Sequence, residues 1–175
     1  MILSSHTKIG VNSNSLVIFD RDNTLCEDFG AMSGKSECVI LPKVIEGIKM
    51  LDKASPIIAI ATNQSYVGRG LLTLNDVEDF HKKLLKSLSS SGIDIHLIAV
   101  CPHAPWDDCL CRKPKPGMLN GLIEVSKVKD RNRIFFVGDK VTDGQAAIGA
   151  GIHGLQVDSS NFESICEYID KRLTR

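Results

Sequence analysis

Short, uninterrupted apolar runs alternate along the chain with longer segments of helical periodicity. The apolar runs cover 16–20, 57–63, 95–101, 133–138 and 154–157. Because these runs do not alternate in polarity, they are typical of strands buried on both faces of a parallel sheet. The segments between them predict helices over 44–54, 75–90 and 118–127, another from near 143, and a last one over 162–173. Thr73 and Asp76, at capping-box spacing, mark the start of the second helix.

This order of elements predicts an α/β fold, a Rossmann-like doubly wound parallel sheet flanked by helices. Ligands of such sheets bind at the carboxyl ends of the strands. The length of 175 residues fits one domain, 1–175, with a core over about 16–157 and no large cap domain. The least regular stretches, 27–41 and 101–117, are expected to be loops over the ligand-binding edge.

Charge and hydropathy exclude several classes of partner. Lys and Arg number 21, as do Asp and Glu, so no net field would gather nucleic acid or an anionic membrane surface. No run of about 18 apolar residues predicts a membrane-spanning helix. Residues 1–15 are mostly polar and lack the features of a signal peptide. We therefore predict a cytoplasmic monomer without a nucleic-acid or membrane partner.

Two carboxylates, Asp20 and Asp22, follow the first predicted strand. Side chains two residues apart in an extended segment point the same way, so one acid can attack phosphorus while the other moves protons. Like unit charges ~4 Å apart repel by roughly 4 kcal/mol at an effective dielectric of ~20, so this attack requires a divalent cation. Asp139, at another strand end, predicts a Mg²⁺ site shared with Asp20 and Asp22. Asp143 is expected to hydrogen-bond the loop or a metal-bound water.

Polar and basic side chains complete the predicted phosphate site. Thr62 and the residues that follow it offer a hydroxyl and N–H groups to phosphoryl oxygens. Arg112 and Lys113 add positive charge, the lysine for the transferring group and the arginine fork for orienting substrate. Each motif alone also fits an ordinary turn or helix cap. Their joint occurrence at strand ends favours a phosphatase.

A zinc site is predicted by Cys101, His103, Cys109 and Cys111, which lie within eleven residues. Three thiolates and one imidazole favour tetrahedral Zn²⁺ with no open position, so the metal would be structural. The alternative is a set of reduced buried thiols beside a solvated histidine. The remaining cysteines and histidines lack ligand spacing and receive no role: Cys26, Cys38, Cys166, His6, His81, His96 and His153.

The order of these motifs resembles the haloacid dehalogenase superfamily over about 16–157. Segments 62–65, 68–70, 101–103, 111–114 and 116–118 are similar to those of D-glycero-D-manno-heptose 1,7-bisphosphate phosphatases and of the related histidinol-phosphate phosphatases. The resemblance implies Asp20 as nucleophile and Asp22 as general acid and base. It also implies Mg²⁺ on Asp20, Asp139 and the backbone carbonyl of Asp22, with phosphoryl stabilisation by Thr62 and Lys113.

The resemblance also implies a set of substrate contacts beyond the phosphoryl group. They are Asp28, Phe29, Gly30, Ala31, Asn63, Gln64, Ser65, Arg112 and Lys140. Asn23 stands where the family usually has glycine, and Asn is tolerated there if its φ is positive. Five residues separate His103 from Cys109, a compact loop similar to that of the histidinol-phosphate phosphatases.

The function implied is Mg²⁺-dependent hydrolysis of a small sugar phosphate through an aspartyl phosphate. The expected substrate is D-glycero-D-manno-heptose 1,7-bisphosphate, which would lose its 7-phosphate. One alternative is a histidinol-phosphate phosphatase; another is an inactive, zinc-stabilised module that binds phosphorylated ligands. Asp20 argues against the inactive module, because a binder gains nothing from a nucleophile and suffers its repulsion toward phosphate.

Overall fold

A computed structural model describes residues 1–7, 13–32, 37–158 and 160–175, without the side chain of Met32. The chain forms a six-stranded sheet of order β1-β4-β3-β2-β5-β6. Its strands are β1 Ile2–Ser5, β2 Leu16–Phe19, β3 Ile57–Asn63, β4 Leu97–Cys101, β5 Ile134–Gly138 and β6 His153–Gln156. The predicted doubly wound α/β sheet is confirmed. Residues 33–36 of the predicted loop over 27–41 lie outside the described residues.

The pairing is parallel except at one edge, where β1 runs antiparallel to β4. The prediction of purely parallel pairing was therefore incomplete, and β1 was not predicted. An edge strand has one neighbouring strand and is more open to solvent than a central strand, so it needs no continuous apolar run. Its sequence Ile-Leu-Ser-Ser is accordingly half polar, with exposed and half-buried side chains.

Six α-helices lie in the described part of the chain, five between strands and the last after β6. They are α1 Val44–Lys49, α2 Ser65–Gly68, α3 Leu74–Ser89, α4 Gly117–Ser126, α5 Val141–Ala150 and α6 Phe162–Leu173. The predicted capping box of Thr73 and Asp76 opens α3. The helix predicted over 44–54 ends early and continues as a 3₁₀ turn over Met50–Asp52. No helix among these has the length and apolar character of a transmembrane span.

The helices cover both faces of the sheet, and alternate residues of β2 face opposite layers. Val17 and Phe19 pack in the core with α1, α3 and α6. Leu16 and Ile18 pack with α4 and α5 on the other face. Burial on both faces explains why β2 is an unbroken apolar run in the sequence.

The strand order locates the binding edge. From β2 the chain builds outward through β3 and β4, and it then crosses back to place β5 on the other side of β2. Such a reversal leaves a crevice beyond the carboxyl ends of the two central strands. Asp20 and Asp139 are the residues that directly follow β2 and β5.

Candidate active site

A buried lysine lies between two carboxylates at the centre of this crevice. Lys113 Nζ is 2.8 Å from Asp20 Oδ1 and 2.8 Å from Asp143 Oδ1. The ammonium also donates to the Ala61 carbonyl at 3.0 Å. Burial alone would lower the pKa of Lys113, but the two carboxylates outweigh it and raise that pKa above its ordinary value. The lysine is therefore a permanently charged group that joins β2, β3 and α5.

The loop after β5 orients Asp143 toward this lysine. Asp143 Oδ2 accepts the backbone N–H of Lys140 at 2.9 Å, so the predicted hydrogen bond to the loop is present. A Cβ on Gly138 would collide with the Asp143 carboxylate. Glycine at position 138 therefore allows the acid to fold back against the end of β5.

The acids of the crevice fit a divalent cation. Carboxylate oxygens of Asp20, Asp139 and Asp143 all lie within 4.8 Å of one another. Among the described residues, the buried Asp139 Oδ1 has no hydrogen-bond partner. Burial raises the pKa of Asp20 to about 6, against the opposing charge of Lys113, and burial also raises the pKa of Asp139. A hard cation among these oxygens would satisfy the orphaned atom and offset their repulsion.

Asp22 is held at both of its oxygens. Arg21 Nε and Nη2 lie 2.8 and 2.7 Å from Asp22 Oδ1. The Gln64 amide donates to Asp22 Oδ2 at 2.8 Å and to Thr62 Oγ1 at 2.8 Å, while Thr62 Oγ1 lies 3.4 Å from the same carboxylate oxygen. Asn23 then turns the chain with φ of 57°, the positive value expected of an asparagine at this position.

Arg21 and His81 are functional candidates that the sequence interpretation missed. Arg21 is only 1% exposed, and its guanidinium lies 4.6 Å from the centre of the Phe80 ring. Its Nη1 is 3.3 Å from His81 Nε2. The available signals were a charged residue between two acids at a buried strand end, and a histidine on the apolar face of α3.

A cavity of about 320 Å³ opens onto these groups. Of the predicted site residues, those that line it are Asp22, Asp28, Gly30, Asn63, Gln64, Ser65, Arg112, Lys113 and Lys140; Arg21, Tyr66 and Thr142, which were not predicted, line it as well. The other residues predicted for catalysis, substrate binding or magnesium do not line it; they are Asp20, Phe29, Ala31, Thr62 and Asp139. Arg112 Nη1 is buried and has no hydrogen-bond partner among the described residues. The cavity is therefore lined by two acids, Asp22 and Asp28, and by a larger number of cationic side chains.

Asn63 fixes the backbone that carries the lysine. Its side-chain amide donates to the Lys113 carbonyl at 3.2 Å, and its Oδ1 accepts the Lys113 N–H at 3.1 Å. Both polar ends of Asn63 are thus engaged by one residue. This contact makes Asn63 a scaffold for Lys113, and its contact with substrate stays a prediction.

The four predicted zinc ligands converge in the loop after β4. Cys101 Sγ lies 3.8 Å from Cys109 Sγ and 3.6 Å from His103 Nδ1, and Cys111 Sγ lies 3.3 Å from His103 Nδ1. Tetrahedral Zn²⁺ with ordinary bond lengths sets ligand separations of about 3.8 Å between sulfurs and about 3.6 Å between sulfur and nitrogen. The donor set therefore has the chemistry and the spacing for zinc.

Two glycines let this loop pack closely against its neighbours. A Cβ on Gly68 would collide with the backbone of Ala104, and a Cβ on Gly117 would collide with the Leu110 carbonyl. The first contact joins α2 to the loop, and the second joins the loop to the start of α4. The loop is thereby packed against both α2 and the start of α4.

Comparison with known families agrees with this geometry. Residues 15–158 match the family model of the polynucleotide kinase 3 phosphatases. The chain belongs to this phosphatase family, and its fold is that of the haloacid dehalogenase superfamily. The predicted superfamily is confirmed.

Individual proteins of known name are also similar to this chain in sequence. D-glycero-beta-D-manno-heptose-1,7-bisphosphate 7-phosphatase of Pseudomonas aeruginosa is 41% identical over 138 residues, covering 77% of this chain and 76% of its own. The corresponding Pseudomonas putida protein is 35% identical over 153 residues, 87% of each chain. A histidine biosynthesis bifunctional protein from Baumannia cicadellinicola is 27% identical over 162 residues, 90% of this chain but 45% of that protein.

Solved structures give the same relationship. The D,D-heptose 1,7-bisphosphate phosphatase of B. bronchiseptica, complexed with magnesium and phosphate, superposes with a TM-score of 0.75. It is 27% identical, over 90% of this chain and 98% of its own. A haloacid dehalogenase-like phosphatase of Mesorhizobium loti, 23% identical, shares the fold with a TM-score of 0.84 over 97% and 93% of the chains.

The burial of His81 predicts how stability depends on pH. Burial, followed by the charges of Arg21 and His6, lowers the pKa of His81 to about 3 from its usual 6.5. Glu78 and Lys82 line a surface groove together with His81. Between pH 6.5 and 3 the unfolded chain binds a proton at position 81 that the folded chain does not, so acidification through this window destabilises the fold.

We expect His81→Gln, which cannot titrate, to lose less stability on acidification than the parent protein. Between pH 7 and pH 5, the free energy of unfolding should fall by about 2 kcal/mol more in the parent protein than in His81→Gln. Denaturant unfolding of both proteins at the two pH values measures it. Other titrating groups are common to both proteins and cancel, so parallel curves would contradict the burial of a neutral His81.

Proposed function

We propose that this protein is a Mg²⁺-dependent phosphatase that hydrolyses a small sugar phosphate through an aspartyl-phosphate intermediate. The observation that carries the proposal is the buried group of Asp20, Lys113 and Asp143, with Asp139 beside it, whose lysine lines a cavity. A binding module for phosphate would not place a carboxylate there. A nucleophile requires it.

The chemistry divides into two balanced steps. In the first, an Asp20 oxygen bonds to phosphorus as the bond from phosphorus to the substrate oxygen breaks, and Asp22 gives that oxygen a proton. In the second, water attacks phosphorus, Asp22 takes its proton, and the bond to Asp20 breaks to release inorganic phosphate. Lys113 and the Thr62 hydroxyl stabilise the charge on the transferring group.

Magnesium would be held by Asp20, Asp139 and the backbone carbonyl of Asp22. When bound, it supplies positive charge between the attacking carboxylate and the phosphate, whose repulsion would otherwise oppose the reaction. Asp143 is already engaged by Lys113 and by the Lys140 N–H. It therefore orients the lysine, and we assign it no direct metal bond.

We propose D-glycero-D-manno-heptose 1,7-bisphosphate as the substrate, with removal of its 7-phosphate. The relatives named for this activity match this chain over most of both lengths. The cavity supports a doubly phosphorylated ligand, because Arg112 and Lys140 remain on its wall after Lys113 is committed to the reacting phosphate. The buried, unpartnered Arg112 Nη1 is suited to the second phosphate.

Histidinol phosphate is the second candidate substrate. The observation in its favour is the five-residue spacing between His103 and Cys109, which is similar to that of histidinol-phosphate phosphatases. Histidinol phosphate has a single phosphate, so its binding would leave Arg112 without an anionic partner. The bisphosphate therefore remains our first assignment.

The thiol cluster would hold a structural zinc ion through Cys101, His103, Cys109 and Cys111. We further propose that the protein is cytoplasmic, since a cluster of reduced thiols requires a reducing compartment. We also propose that it is a monomer. The zinc would hold the loop whose next residues are Arg112 and Lys113. Its effect on catalysis would therefore be indirect.

We expect Asp20→Asn to lower phosphate release by more than about a thousandfold, because an amide cannot serve as the nucleophile. The parent protein should require added Mg²⁺, and Asp52→Asn, at an exposed acid, should retain full activity. Phosphate release with and without Mg²⁺ measures both effects. Full turnover by Asp20→Asn would refute covalent catalysis at this residue.

A substrate panel of heptose 1,7-bisphosphate, fructose bisphosphate and histidinol phosphate tests the assignment. We expect the heptose bisphosphate to exceed histidinol phosphate about a hundredfold in kcat/KM, as two charge-assisted contacts to the second phosphate would provide. Arg112→Met should remove most of this preference, while Lys129→Met, at an exposed site, should not. Rapid turnover of histidinol phosphate alone would establish the second candidate instead.

Cys109→Ser tests the zinc site. We expect the bound zinc to fall from one equivalent to almost none, and the protein to lose at least about 2 kcal/mol of stability, or roughly 6 °C in Tm. Cys38→Ser, which changes another half-buried thiol, is the matched control and should keep its zinc. Elemental analysis and thermal unfolding give both readouts. A zinc-free parent protein with the same Tm as Cys109→Ser would exclude the site.

A further inference from the structure

The buried contacts behind Asp22 assign a role to two residues outside the reacting centre. We propose that Arg21 and His81 form a positioning pair that fixes the orientation of Asp22 for proton transfer. This inference rests on the proposed function, in which Asp22 moves the proton. Arg21 lines the cavity and His81 does not, and the positioning role requires neither of them to touch the reacting phosphate.

Arg21 fixes one oxygen of Asp22 and leaves the other for chemistry. Its Nε and Nη2 both lie within 2.8 Å of Asp22 Oδ1. Among the described residues, Oδ2 is held by the Gln64 amide and, more distantly at 3.4 Å, by the Thr62 hydroxyl. Arg21 and Gln64 both line the cavity with Asp22. Oδ2, which lacks the two-pronged contact with the guanidinium, is the oxygen that we assign to proton transfer.

His81 in turn fixes Arg21. A guanidinium group has donors and no acceptor, so the 3.3 Å contact between Arg21 Nη1 and His81 Nε2 requires His81 to accept at Nε2. The imidazole must therefore be neutral, with its proton on Nδ1. The Phe80 ring lies 4.6 Å from the guanidinium carbon and restricts the group from another side.

The cost of leaving a buried guanidinium N–H without an acceptor ties the position of Arg21 to His81. Arg21 is 1% exposed, and Asp22 is its charged partner within ion-pair distance in the described part of the chain. A buried guanidinium with a displaced Nη1 would lose a hydrogen bond that water cannot replace. Loss of the His81 acceptor would therefore shift the guanidinium, and the Asp22 carboxylate would move with it. A displacement of this kind near a reacting atom reduces the rate strongly.

His81→Met tests the pair, because methionine fills similar space without an acceptor, whereas His81→Gln can retain an acceptor oxygen near the position of Nε2. A misplaced proton donor should matter for a sugar ester, whose alkoxide leaves poorly. It should matter little for p-nitrophenyl phosphate, whose phenolate leaves without protonation. A general loss of folding would lower both rates together.

We expect His81→Met to reduce kcat/KM for the sugar phosphate about tenfold to a hundredfold, and for p-nitrophenyl phosphate by less than about threefold. His81→Gln should recover the sugar phosphate rate to within about threefold of the parent protein. Slowed hydrolysis of the aspartyl phosphate in His81→Met should also produce a burst of about one nitrophenolate per active site. Leu84→Ala, which weakens the same buried face of α3, should show neither the selectivity nor the burst.

Arg21→Lys provides a second route if His81→Met does not fold. It keeps a positive charge beside Asp22 but cannot contact Asp22 and His81 together in the same fork, so it should show the same selective loss. Equal losses on both esters, or equal rates for His81→Met and His81→Gln, would overturn the positioning role. A parent protein that hydrolyses neither ester would instead overturn the proposed function itself.

Discussion

The ion pairs of Lys113 hold the active site together. One ammonium group bridges Asp20 after β2 and Asp143 at the start of α5, and it also binds the Ala61 carbonyl of β3. Carboxylates this close would repel one another in a buried crevice, and a single buried cation offsets much of that repulsion. The remaining negative charge, on Asp139 and Asp20, is what makes the crevice suited to a divalent metal. The clustering of these acids therefore depends on nearby positive charge, from Lys113 and, when bound, from a metal ion.

The rest of the molecule can be understood as support for that lysine. Asn63 clamps its backbone from β3, and the Cys/His loop precedes it directly. The absence of a side chain at Gly68 and Gly117 allows this loop to pack closely against α2 and α4. A loop of this irregularity has little secondary structure of its own to define its path. A tetrahedral metal site would supply the missing constraint at the point where a charged side chain must enter the core.

The second acid depends on the opposite face of the sheet. Asp22 is connected through Arg21 to His81 on α3, a helix whose other buried side chains are all apolar. In the proposed mechanism, packing of that helix against the sheet would therefore affect the geometry of proton transfer. Asp20 and Asp22 are neighbours in sequence, yet separate sets of contacts hold them, which allows one to serve as nucleophile while the other moves protons.

The sequence by itself determined the alternation of strands and helices, the superfamily, the acids at the strand ends and the four clustered thiol and imidazole ligands. These are local signals, because periodicity, spacing and motif order can be read directly from the linear sequence. Only the tertiary structure decided that β1 adds an antiparallel edge, that Asn63 holds Lys113, and that Arg21 and His81 meet behind Asp22. Position 81 lies sixty residues from position 21, and a polar residue on an apolar helix face carries no local sign of its partner. That partner is chosen by packing across the sheet, which periodicity cannot encode.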